Sequence, residues 1–384
     1  MTACLFIQPG TVPAIASDIV VSTESAGQLS ENSRRPMSIA LDKNSSLPPM
    51  LHARKNYFLS DNTCIAFAGS AIEAKRTLLD LQDHICVFEN VDLPALQIAK
   101  HIDQNTEIKA LISWANMSNL IFNADYRFSL DHDAKIDTYT SKIFGDCHGI
   151  GSGRQRILKM VDLIENEQFF ERRLKKVIQD ERRYFAEIGL EGLATEKDII
   201  FKNSISINKL FLHQLNITNL ISELMNLARP SFGGFYEGSY FNLNQNRWVR
   251  QKNHVIIFYE ITDQTVNISD FAFAYNSGIM HGEILVVRRH APVNFHLCYD
   301  IRADLDKIQN TESEFKNNWK PEEAVIVLFK RYDPKPVKWF MIPIPPEEIQ
   351  DVSFDLENFS FGLKKALISK LIIEPLRAGI YEFA

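Results

Sequence analysis

Thr2-Ala-Cys-Leu-Phe-Ile-Gln8 and Thr11-Val-Pro-Ala-Ile-Ala-Ser17, parted by Pro9-Gly10 and followed by Asp18, are two runs of strand formers around a turn. The chain is therefore expected to open as a β-hairpin. With Pro9 and Gly10 as the two loop residues, Gln8 faces Thr11 and paired positions sum to nineteen. That register sets Thr2 opposite Ser17 and beside Asp18. L-Pro-Gly prefers a type II turn to the tight hairpin types, so a slip of one position stays open.

Outward from this hairpin, residues 22–50 are rich in Ser, Asn, Pro and charge without periodicity, the pattern of a long exposed loop. A second hairpin is expected from Lys55-Asn-Tyr-Phe-Leu59 and Thr63-Cys-Ile-Ala-Phe-Ala68 around Ser60-Asp61-Asn62. Gly69-Ser70 then opens a helix carrying Ile72, Leu78, Leu79 and Ile85. A glycine between strand and helix start offers backbone N–H donors. Further along, a helix is expected over about 92–112, strands over 119–124 and 136–144, and a helix from Arg154 after Gly149-Ile-Gly-Ser-Gly153. The charged stretch 165–200 keeps Phe170, Leu174, Val177, Ile178 and Phe185 at helical spacing, as an amphipathic helix does. A helix over about 205–227, a hairpin over 236–251 turned at Gln245-Asn246, and a strand-rich remainder complete the pattern.

Thr2 carries the sharpest chemical meaning. Methionine aminopeptidase removes Met1 before small residues, which leaves a free threonine at a strand end. Its α-amino group, with an ordinary pKa of about 7.7–8.0, takes the hydroxyl proton near neutral pH without a histidine. Such a nucleophile still needs a cation to favour the alkoxide, an anion to hold that cation, and N–H donors for the oxyanion. Lys55, Asp18 and Gly69 are placed to supply them.

These residues resemble the proteasome β-subunits and the bacterial HslV peptidase, N-terminal-nucleophile hydrolases. The likeness runs through Thr2, Ser17-Asp18, Lys55 to Leu59, Ile65-Ala-Phe-Ala-Gly69 and Gly151-Ser152-Gly153. In that family the threonine precedes an aspartate by sixteen positions, as 18 − 2 gives here, and the lysine precedes the oxyanion glycine by about fourteen, as 69 − 55 gives. The resemblance implies an α+β fold, a four-layer αββα sandwich over 2–252 with insertions at 22–50 and 165–200, and a β-rich C-terminal extension, 253–384, without counterpart. It implies Thr2 as nucleophile, Asp18 as partner of Lys55, Lys55 as the group that lowers the hydroxyl pKa, Gly69 as oxyanion donor, and Ser152 near the Thr2 amine. Ala53, Tyr57, Phe67 and Ala71 are implied as lining of the primary specificity pocket. The substrate class it implies is a peptide or protein. Family members form rings, but the added bulk here points to a smaller homo-oligomer, dimer to hexamer, and leaves an unfoldase or other protein partner open.

The chain departs from the family in three places. Asp18 and Lys55 lie 37 residues apart, about twice the family distance, so 22–50 reads as an insertion over the substrate cleft. Arg229-Pro-Ser-Phe-Gly-Gly234 puts Arg229 and Phe232 where the family carries an acid and a serine. The 165–200 stretch and the C-terminal extension occupy sequence that ring contacts would otherwise use.

Composition narrows the classes. A net charge of −6, with basic residues spread thinly outside one helical stretch, offers no field for nucleic acid or an anionic membrane. No stretch approaches ~18 apolar residues and no Lys or Arg precedes Arg34, so neither a membrane helix nor a secretory signal is expected. A cytoplasmic protein starting near Met1 is expected. Its five separated cysteines then read as reduced core thiols, and its N-x-S/T triplets as chance matches. His132, His148, His281 and His290 lack ligand spacing, so no metal or other cofactor is expected. Cys147 beside His148 suggests a thiol nucleophile, but strand neighbours point to opposite faces. Two classes remain: a threonine peptidase or amidase, and a catalytically weak scaffold that binds partners through its extension. An intact Thr2, Asp18 and Lys55 favours the first.

Overall fold

The computed structural model describes residues 3–8, 12–18, 20–22, 50–87, 108–116, 123–128, 137–166, 168–189, 192, 195–224, 236–251, 253–262, 266–276, 284–288, 296–299, 321–330, 338–355 and 360–381. They divide into two compact units, one ending at Gln251 and the other running from Lys252.

The first unit is organised around the opening hairpin. β1 (Cys4–Ile7) pairs antiparallel with β2 (Ala14–Asp18), with Cys4 facing Ser17 and Ile7 facing Ala14. Paired positions sum to twenty-one, not the nineteen expected from a two-residue Pro-Gly loop. The ladder closes at Ile7 and Ala14, outside both Pro9 and Pro13, neither of which has an N–H to give to it. A two-residue shift keeps every side chain on its face, because the strand period is two. β10 (Gly145–Ile150) lies on the other side of β1, followed by β9 (Asp137–Ser141). β11 (Tyr236–Asn242) and β12 (Arg247–Arg250) extend the sheet beyond β2, giving the order β12-β11-β2-β1-β10-β9, all antiparallel.

One face of this sheet is covered by helices α2 (Arg154–Glu165), α3 (Gln168–Glu187), α4 (Glu196–Lys202) and α5 (Ser204–Leu224). Leu5, Ile7, Ala14, Ala16, Tyr236 and Tyr240 form one apolar core with residues from all four helices. Phe144 sits within it, 4.6 Å from Phe211 and 5.5 Å from Phe170 between ring centroids. The stretch expected as an amphipathic helix is thus part of the core: Phe170, Leu174 and Ile178 are buried while Lys175 and Lys176 face out. Gly238 of β11 permits the closest approach, since a Cβ there would lie 2.4 Å from Leu212 Cδ1 of α5.

The opposite face packs on a second antiparallel sheet, β5-β6-β7-β8, built from β5 (Asn56–Phe58), β6 (Thr63–Gly69), β7 (Ile108–Asn116) and β8 (Asn123–Phe128). Cys4, Phe6, Ile15 and Phe241 of the first sheet share a core with Cys64, Ala66, Ala68 and Leu111 of the second. The turn of the β5–β6 hairpin is tied to β12, with Trp248 donating its N–H to the Asp61 carbonyl at 2.8 Å and Nε1–H to the Asn62 carbonyl at 3.1 Å. Helix α1 (Ala71–Val87) packs against β6. The helix expected over 92–112 is overturned from Ile108 onward, where β7 pairs with β6 from Ile108 to Trp114; 88–107 lie outside the described residues. β3 (Val20–Ser22) and β4 (Met50–Ala53) pair with each other, and 23–49 between them are likewise not described.

The second unit contains β13 (His254–Ile261), β14 (Val266–Asn276), β15 (Ile284–Arg288), β16 (His296–Tyr299), β17 (Glu323–Lys330) and β18 (Lys338–Pro343), in the order β18-β17-β13-β14-β15-β16. Only the β13–β17 pair among them is parallel. Val255, Ile257 and Tyr259 of β13 and Ala324, Ile326 and Leu328 of β17 pack with β19 (Val352–Asp355), β20 (Ser360–Leu363) and a helical run, 365–377. That run widens to a π-turn over Ser369–Ile373 ahead of Pro375, which has no N–H to donate back along the helix. The Leu371 carbonyl, four residues before Pro375, accepts the Tyr381 hydroxyl at 3.1 Å instead.

Candidate active site

At the start of β1 the Ala3 N–H donates to Asp18 Oδ1 at 2.9 Å, while the Asp18 N–H donates to the Ala3 carbonyl at 2.9 Å. The same Asp18 oxygen accepts the Lys55 ammonium at 2.6 Å. Asp18 is wholly buried and Lys55 only 7 % exposed, so this is an ion pair removed from water. Breaking such a pair leaves one charge stranded, which strongly destabilises a fold. Thr2 lies outside the described residues, but the Ala3 N–H belongs to the peptide bond that joins the two. The carboxylate therefore holds both the ammonium and the backbone immediately after residue 2.

Lys55 precedes β5, and its own carbonyl accepts the Phe67 N–H at 2.8 Å, which ties it to β6 two residues before Gly69. Gly69 ends β6 exposed, with φ of 112°, a conformation that costs a residue with a Cβ but not glycine. Ser70 then caps α1, its carbonyl accepting the Ala74 N–H at 2.9 Å and its hydroxyl the Glu73 N–H at 3.4 Å. On the other side of β1, the register puts Ile150 opposite Cys4, so Gly151 (φ 89°) comes level with Ala3. Ser152 follows, exposed, in the turn that leads into α2.

Tyr57 and Phe67 are core residues, the first wholly buried and the second 3 % exposed. Their rings stand 6.4 Å apart, and the Tyr57 hydroxyl donates to the Arg54 carbonyl at 2.5 Å. Ala53 ends β4 and Ala71 opens α1. Cys4 lies beside the ion pair with its thiol on the Phe67 carbonyl at 3.3 Å. Burial raises its pKa far above the usual thiol range, Lys55 acting against this and Asp18 with it. A thiol so shifted stays protonated and inert. The Cys147 thiol is likewise pushed up to about 12, by burial first and then by Glu165 and Asp146.

Sequence reasoning missed the polar residues around Lys55. Arg54 and Asn56 flank it, and they meet Ser17, Glu237, Ser239 and Arg250, all but Arg250 buried. The available signal was the placement of Glu237 and Ser239 at alternate positions of β11, on the same face as Phe241. Arg229 and Phe232, where the resembling family has an acid and a serine, lie outside the described residues. Among the described residues no three His, Cys, Asp or Glu side chains gather as a metal site would need, and no helix is long and apolar enough to cross a membrane. No model of a known protein family matches this chain, and no curated protein sequence does.

Proposed function

We propose that this chain is an N-terminal-nucleophile hydrolase of the proteasome-like type, acting on peptide or amide bonds from Thr2 once Met1 has been removed. One observation carries the reading: the Lys55 ammonium and the Ala3 N–H meet on a single oxygen of buried Asp18 at the start of β1. In this scheme the Thr2 α-amine takes the hydroxyl proton and the oxygen attacks the substrate carbonyl. Lys55 favours the alkoxide and Asp18 keeps the ammonium in place. N–H groups at Gly69 and the start of α1 face the developing oxyanion, and Ser152 supports the amine. The leaving amine carries away the proton, and water or a second amine resolves the ester on Thr2. The αββα assignment, the cytoplasmic setting, the homo-oligomer and any unfoldase partner belong to the same proposal.

Intact-mass spectrometry tests it before and after a peptide epoxyketone, which needs both the hydroxyl and the free amine of an N-terminal threonine. A protein lacking Met1 that gains one adduct mapping to Thr2 supports the reading. Retained Met1 under normal processing, or an adduct that Thr2→Ala does not abolish, sinks it. Arg229 and Phe232 favour a second reading, a scaffold with the fold but little turnover, for which Thr2 is free yet takes no adduct.

A further inference from the structure

Behind the Lys55–Asp18 pair lies a seam of polar side chains through which three consecutive residues cross from the second sheet to the first. Arg54 Nε stands 3.0 Å from Glu237 Oε1 and Lys55 Nζ 2.6 Å from Asp18 Oδ1. Asn56 Nδ2 donates to Ser17 Oγ at 3.1 Å and to the Glu237 carbonyl at 3.2 Å. Its Oδ1 accepts Ser239 Oγ–H at 3.2 Å and Arg250 Nη1–H at 2.5 Å, and its own carbonyl accepts Arg250 Nη2–H at 3.1 Å. Arg250 Nη1 also reaches Glu237 Oε1 at 2.5 Å, and its guanidinium lies 4.6 Å from the Phe58 ring centroid. Every hydrogen-bonding group of the Asn56 side chain thus points at the first sheet, Arg250 of β12 included.

The sheets also meet through the Trp248 bonds to the Asp61 and Asn62 carbonyls and the Cys4 thiol on the Phe67 carbonyl, but the core shared between them is apolar, and apolar contact is non-directional. It holds the sheets together but tolerates a small slide of one over the other. Hydrogen bonds at fixed angles do not, and the residue they fix is the one covalently next to Lys55. We infer that Arg250 is a positioning residue for Lys55: by gripping the side chain and carbonyl of Asn56 it holds the chain where the Lys55 ammonium meets Asp18. This rests on the reading of Lys55 as the cation that serves Thr2. Charge alone does not perform the task, because the grip uses two nitrogens of a planar fork that lysine lacks.

The test is Arg250→Met, which keeps an apolar stem over Phe58 and leaves Arg54 to pair with Glu237. Two measurements are made on folded protein. The first does not depend on Thr2 chemistry: acetylation of Lys55 by acetic anhydride, followed by peptide mass spectrometry, is expected to be roughly 10-fold faster in the variant, as the ammonium leaves Asp18. The second is the rate of epoxyketone capture. Its limiting rate is expected to fall roughly 10- to 100-fold, the cost of a small misplacement at a reacting group, with half-saturation within about twofold and labelling still complete. A merely structural role would lower the labelled fraction and leave the limiting rate alone. Wild-type protection of Lys55, or an unchanged limiting rate, overturns the inference. If Thr2→Ala still takes the adduct, the hydrolase reading falls instead and Lys55 protection decides the inference by itself. Should Arg250→Met fail to fold, Ser239→Ala removes one donor from the same Asn56 oxygen and is expected to move both measurements about 3- to 5-fold; no movement there overturns it.

Discussion

The two faces of the six-stranded sheet are made by alternate residues of the same strands, yet they are built on different terms. Under the helices, Leu5, Ile7, Ala14, Ala16, Tyr236 and Tyr240 share an apolar core around Phe144, with Asn216 hydrogen-bonded to the Tyr236 backbone at its edge. Facing the second sheet, Phe6, Ile15 and Phe241 are apolar as well, but Ser17, Glu237 and Ser239 replace them toward one end with directional bonds. Burial on the helix face is worth a similar amount in many arrangements, roughly 25 cal/mol per Å² of apolar area. On the sheet face an error of an ångström leaves a buried charge without its partner, which is far more costly. The first face supplies stability, and the second fixes where charges stand.

That division can be broken or sharpened by substitution. Thr2→Ala is expected to remove epoxyketone labelling and turnover outright while costing on the order of 1 kcal/mol in stability. Lys55→Ala should lower turnover at least about 10³-fold, and because it strands a buried Asp18 it should also cost about 3–5 kcal/mol in denaturant titration. Lys55→Arg is not expected to rescue turnover, since the broad guanidinium does not fit a slot shaped for a point charge. Variants that turn over as fast as the wild type would put the active centre elsewhere. On the helix face the effects should reverse: Phe144→Ala is expected to cost about 3–5 kcal/mol with the labelling rate per folded molecule unchanged. A changed rate there would mean that the two faces are coupled.

Smaller effects follow. Gly238→Ala drives a methyl group into Leu212 and is expected to cost about 1–3 kcal/mol, read as a lowered denaturation midpoint. The smallest effect concerns His148, whose pKa is lowered from 6.5 by burial, with Asp146 opposing. Below that value the unfolded chain binds the proton that the folded chain resists, so the stabilisation present above about pH 6.5 is lost as the pH falls toward the depressed folded value. Thermal midpoints between pH 7 and 5 should therefore fall further for the wild type than for His148→Gln. Equal slopes would remove His148 from the acid response.

Much of the local structure was legible because it rests on local rules. The opening hairpin, the β5–β6 hairpin, the capped start of α1 at Ser70 and the helix from Arg154 all follow from strand formers, turn residues and caps read along the chain. The register of the first hairpin was not legible, since Pro13 lies outside the turn that Pro9-Gly10 suggests and its missing N–H shifts the closing pair to Ile7 and Ala14. Ile108 to Ile112 suit a helix or a strand equally in isolation, and pairing with β6 decides between them. At the candidate site, Asp18 and Lys55 were suggested by spacing from Thr2 and Gly69. Asn56, Glu237 and Arg250 carry no such marker, because Asn56 meets partners 181 and 194 residues away and only the fold brings them together.

The bond from Trp248 to the Asn62 carbonyl gives the molecule a built-in optical gauge. Its indole is 3 % exposed and stands edge-on to Phe241 at 6.1 Å, so its emission reports a dry, ordered contact between β12 and the β5–β6 turn. Separation of the two sheets would wet the ring and move its fluorescence to longer wavelength, whereas loosening of the helix layer alone would leave it dark to the change. With Trp114, Trp319 and Trp339 replaced by phenylalanine, that single fluorophore would time the opening of the seam beside Lys55 separately from unfolding of the rest.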